Sequence, residues 1–188
     1  MKKGLMVVLL MVFTVFMSTL PATAAVPLAL DGSWIVLDQA MSTGDFFTGG
    51  PWTWSSPEVP VLFTITDLYV VTDQFEVWDN GVLVATTPAK PDWPALGASG
   101  PYDAPPYESD PAAALASGNF SSAELLFAPG SHSIEVRDIH IPPLTAGDGP
   151  FPDGTVAFNA RPVPEPSTML LLGSGLVGLL AFRKRFRK

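Results

Sequence analysis

Apolar residues between positions 33 and 160 fall in short runs that alternate with polar ones or gather β-branched and aromatic side chains. Turn residues separate the runs, the signature of strands and not of amphipathic helices. The pattern predicts strands over 33–37, 61–71, 74–78, 82–86, 122–127, 133–141 and 155–160. In the second of these, Val61, Phe63 and Ile65 fall on one face. Asp79-Asn80-Gly81 separates the third strand from the fourth, and Asn-Gly is the favoured pair for a type I′ hairpin. Pro129-Gly130 marks the turn between the fifth strand and the sixth. Within 133–141 the apolar positions change parity, from Ile134 and Val136 to Ile139 and Ile141, which predicts a bulge or strand break near Asp138. Seven short strands without long helical periodicity predict an all-β domain, an antiparallel β-sandwich.

The stretch 87–109 carries few strand signals and many Pro, Gly, Ala and Asp residues. Its length predicts an excursion over one end of the sandwich. Just beyond it, Asp110, Pro111 and Gly118 bracket an alanine-rich run as N-cap, N1 residue and C-terminal stop of one short helix. Arg161-Pro162-Val163-Pro164 reads as a linker out of the last strand.

The two ends obey a different pattern. Lys2 and Lys3 precede a charge-free, largely apolar stretch from Leu5 to Phe16, and Ala22-Thr23-Ala24 offers a small-x-small cleavage site. That is the layout of a secretory signal peptide over 1–24, with a retained N-terminal anchor as the alternative. At the other end Pro164-Glu165-Pro166 is followed by an apolar run over 167–182, then by Arg183, Lys184, Arg185, Phe186, Arg187 and Lys188. A helix over 168–182 would be about 22 Å long, short against a hydrocarbon core of roughly 30 Å. It can span if Arg183 and Lys184 snorkel and the bilayer thins locally. The cationic end should stay in the cytoplasm, leaving the rest of the chain outside that membrane. Proline disfavours helix before it, so the Pro-Glu-Pro triplet should remain extended at the outer interface.

These three parts together resemble the PEP-CTERM proteins of Gram-negative bacteria. The resemblance implies sorting by exosortase, a membrane cysteine protease-transpeptidase, with Pro164, Glu165 and Pro166 as its recognition residues. It also implies a transient stay in the inner membrane, followed by release to the cell envelope or the extracellular matrix. A GPI signal normally ends in apolar residues, unlike this basic tail of Arg183, Lys184, Arg185, Arg187 and Lys188. No Leu-Pro-x-Thr-Gly sortase motif occurs. More loosely, the segments 63–67, 73–77 and 130–134 look like sequences common in exported domains with such a tail, which implies a fold and not an activity.

Charge sharpens the domain division into 1–24, 25–163 and 164–188. Residues 25–163 hold three cations, Lys90, Arg137 and Arg161, against seventeen acids, a formal charge of −14. Such a surface repels nucleic acid and anionic polymers; it favours cations or simple solubility. There is no cysteine, so disulfides and thiol chemistry are both excluded and burial must supply stability.

Candidate chemistry is sparse. On a regular strand Asp138 and His140 would share a face as base and orienter, but no Gly-x-Ser-x-Gly elbow accompanies them. Asp73 with Glu76 or Asp79 could imitate a glycosidase pair, a coincidence that so many acids make easy. The glycine-rich loop 147–154 places Asp148 and Asp153 as hard oxygen ligands suited to calcium. Further candidates there are Asp67, Asp73 and Asp79. Trp52 and Trp54 would project together and offer faces for stacking on sugars, although large aromatics also fill cores. The expectation is a non-enzymatic exported protein of the surface or the exopolysaccharide matrix. The alternatives are a secreted carbohydrate- or calcium-binding module and, less favoured by these residues, an extracellular hydrolase.

Overall fold

The Asn80-Gly81 turn is formed as its sequence requires. Asn80 and Gly81 have φ of 51° and 77°, the left-handed pair of a type I′ turn. They join β6 (Gln74–Asp79) to β7 (Val82–Thr86) in an antiparallel hairpin. This computed structural model describes residues 24–40, 42–71, 73–91, 107–140 and 153–164, together with Ser174. Within them the chain is mostly strand with one short helix, an all-β protein.

The remaining strands are β1 (Val26–Pro27), β2 (Ile35–Ala40), β3 (Trp52–Ser56), β4 (Val61–Asp67), β5 (Tyr69–Val70), β8 (Tyr107–Glu108), β9 (Ser122–Phe127), β10 (Gly130–His140) and β11 (Asp153–Pro162). They make a five-stranded sheet in the order β1-β3-β10-β6-β7, a four-stranded sheet in the order β2-β11-β4-β9, and a small β5-β8 ladder. Pro129-Gly130 therefore does not close a hairpin: β9 belongs to one large sheet and β10 to the other.

The two large sheets face each other across a shared core. Trp54 of β3 stacks on Phe63 of β4 at 6.1 Å between ring centroids, and Trp52 meets Phe158 of β11 edge-on at 4.8 Å. Val61, Phe63 and Ile65 are fully buried, as their shared parity predicts, and meet Phe75, Val77, Ile134 and Val136 from the opposite sheet. Each such side chain contributes about 1.5–3 kcal/mol on leaving water, which is how a protein without cysteine is held together.

Three strand readings need correction. The stretch 61–71 is not one strand: β4 stops at Asp67, and Tyr69 takes a left-handed φ of 65° before β5 pairs with β8. β3 lies outside the strands that the pattern predicts. Nor is the sandwich wholly antiparallel, because β1 runs parallel to β3. Val26 and Leu28 donate their N–H groups to Pro51 O and Thr53 O at 2.9 and 2.8 Å, and Leu28 is thereby delivered to the core. An open sheet edge accepts a short extended segment in either direction when a buried side chain follows.

The short helix α1 (Pro111–Ser117) is built as its caps predict. Asp110 accepts the Ala112 N–H, and Gly118 closes the end at φ 69°. Ala114 packs with Leu68, Val71, Phe120 and Ala157 in a second, smaller cluster. Of the excursion 87–109, residues 92–106 lie outside the described residues.

Candidate functional site

The exit from the domain is well defined. β11 pairs with β4 as far as Pro162 against Val61, and Val163 then donates its N–H to Pro60 O at 2.9 Å. The next residue, Pro164, is exposed and outside any strand. Glu165, Pro166 and the basic residues Arg183, Lys184, Arg185, Arg187 and Lys188 lie outside the described residues. So do the expected membrane helix over 167–182, apart from Ser174, and the signal peptide, apart from Ala24. Among the described residues no helix is long and apolar enough to cross a membrane.

The tryptophans expected to stack on sugars are inside. Trp52 and Trp54 are 3% and 6% exposed, their rings pressed between the sheets. Their shared face is the core face, because β4 and β11 supply aromatic partners that local alternation cannot reveal. Of the expected calcium ligands, Asp148 lies outside the described residues, while Asp153 begins β11 opposite Ala40. Among the described residues no three His, Cys, Asp or Glu side chains converge as a metal cage.

His132 sits where β3, β10 and the β6–β7 hairpin meet. Its Nδ1 bonds Asp79 Oδ2 at 2.8 Å and its Nε2 faces Ala128 O at 3.0 Å. Trp54 and Phe127 flank the ring at 5.2 and 5.0 Å. A base-and-orienter pair is thus present, yet the nitrogen that would face a nucleophile is turned to a backbone carbonyl, an arrangement suited to tying strands together. An open depression of about 600 Å³ lies beside it, lined in part by Trp54, Asn80, Ser131 and His132.

Asp73 is not paired with Glu76 or Asp79. Glu76 engages Arg137 and the Trp78 indole, and Asp79 engages His132 and the Ser133 N–H. Asp73 belongs instead with Asp138. Asp138 is fully buried and follows Ile134 and Val136 in core-facing parity, because the predicted bulge falls after it, between Asp138 and His140. Asp73 precedes Phe75 and Val77 with the same parity, and Phe75 lies directly opposite Asp138 in the ladder. Asp73 Oδ2 accepts the Thr155 N–H of the opposite sheet at 3.1 Å, while Asp138 Oδ1 accepts the His140 N–H at 3.1 Å. Burial pushes the Asp138 carboxyl up to about 7, against the smaller opposing pull of the His140 N–H and charge. Burial, then the neighbouring Asp138, holds Asp73 well above the usual carboxylate range. Two acids in core parity are the sequence signal for this pairing, although each taken singly resembles an ordinary strand-end residue.

Compared with known proteins, residues 162–185 match the PEP-CTERM protein-sorting motif. No curated protein matches the chain. A crystal structure of the pre-peptidase C-terminal domain of a collagenase from Bacillus anthracis aligns over 76% of this chain and 100% of its own. At 12% identity and a TM-score of 0.37, that likeness carries no argument. The chain carries a PEP-CTERM protein-sorting motif over residues 162–185, which supports an exported precursor sorted by exosortase.

Proposed function

We propose that this is a non-enzymatic protein of the cell surface or extracellular matrix, associated with exopolysaccharide, whose β-domain is the delivered cargo and whose tail is the delivery device. The observation that carries the sorting half is the motif match over 162–185, with Pro164-Glu165-Pro166 followed by an apolar run and a basic end. The cargo half is supported by what surrounds His132. Its two nitrogens are occupied by a carboxylate and a backbone carbonyl, which suits a scaffold better than a catalyst. A formal charge of −14 over residues 25–163 keeps such a domain soluble and suits a hydrated matrix.

Replacing Pro164, Glu165 and Pro166 with alanines in the producing organism tests the sorting role. The expected result is accumulation of an uncut, membrane-bound precursor, while the wild-type protein recovered from the cell surface has a mass lacking the basic tail. A wild-type product that still carries Lys188 overturns it.

A further inference from the structure

We propose that Asp73 and Asp138 form a buried divalent-cation site, matched to calcium, that closes one end of the sandwich between the two large sheets.

Both carboxylates occupy positions whose parity is otherwise filled by Phe75, Val77, Ile134 and Val136. Asp138 is 0% exposed, and its Oδ2 has no hydrogen-bond partner among the described residues. Asp73 is 6% exposed and reaches across to the opposite sheet through the Thr155 N–H. A buried carboxylate oxygen left without a partner is costly, and a second carboxylate beside it makes the cost larger.

The surroundings supply little compensation. Arg137, on the other face of β10, spends its Nε on Gly44 O and its Nη1 on Glu76. Lys90 binds Gly118 O. Asp38, bonded to Thr155 Oγ1, adds negative charge on the strand paired with the one that Asp73 contacts, and the Asp138 N–H is taken by the backbone carbonyl of Asp45. His140, next beyond the bulge, is the one titratable base at the pair among the described residues.

Carboxylate oxygens with no thiol in the chain select a hard cation. Calcium accepts an irregular shell in which backbone carbonyls and water complement two carboxylates, whereas magnesium demands a near-ideal octahedron.

The test uses the full-length chain in detergent, stripped with chelator, and follows thermal unfolding at pH 7.5 with calcium or magnesium added. Calcium should raise the midpoint by about 5 °C or more, with magnesium well short of it. Asp73→Asn and Asp138→Asn should each fold and each lose the calcium response, since an amide keeps the shape but not the charge. Two results overturn the proposal. A wild-type midpoint indifferent to calcium but raised by acidification would mean that the pair shares a proton instead. A calcium response that survives in both variants would place the ion elsewhere.

Discussion

Asp79 and His132 are joined by a 2.8 Å contact between Oδ2 and Nδ1 that pins the β6–β7 hairpin to β10. The same carboxylate accepts the Ser133 N–H and the Asn80 side-chain amide through Oδ1, at 3.1 and 3.0 Å. Both side chains are largely buried, at 13% and 14% exposure, so solvent does little to weaken the pair. His132→Ala would also remove the ring between Trp54 and Phe127 and open a cavity. It should cost about 2–4 kcal/mol in urea unfolding. A loss under 1 kcal/mol would show that the pair is incidental.

Gly50 is held to glycine by its neighbour. A Cβ there would lie 2.8 Å from a ring carbon of Trp52, which is itself wedged in the core and unable to withdraw. Gly50→Ala should therefore destabilise by about 1–3 kcal/mol, read as a lower thermal midpoint. Unchanged stability would mean that the β3 edge yields more freely than its burial implies.

At the hairpin, Gly81 has φ of 77° and open space around the position of a Cβ. The penalty of Gly81→Ala is then purely conformational, about 1 kcal/mol, with no clash to add to it. Chemical denaturation should show a reduced midpoint with an unchanged slope.

Stability should depend on pH through the acidic pair. Asp138 is raised from its ordinary 3.8 to about 7 in the fold, so between those values the native state binds more protons than the unfolded chain. Stability of the calcium-free protein should then fall as pH rises from about 4 to about 7, with Asp73 acting in the same direction. Unfolding at pH 5 and pH 8 in chelator measures it, and Asp138→Asn should flatten the difference. A wild type more stable at pH 8 than at pH 5 would contradict this assignment of the pair.

Local chemistry was enough for the features that depend on neighbours in the chain. The Asn80-Gly81 turn, the Asp110 and Gly118 caps of α1, the bulge beyond Asp138 and the bounds of β9 all follow from backbone preferences acting over a few residues. The sorting motif is legible for the same reason: its proline pair, apolar run and basic end are contiguous.

What only the tertiary structure decided is which side of each strand faces inward and which strands become neighbours. Alternation places Trp52 and Trp54 on one face, but only Phe63 and Phe158 on the opposite sheet turn that face into core. Parity alone gave Asp73 and Asp138 no reason to meet; β6 and β10 are far apart in the chain and adjacent in the sheet. Sequence periodicity is a local property with two equivalent faces, and long-range strand pairing is what breaks that equivalence.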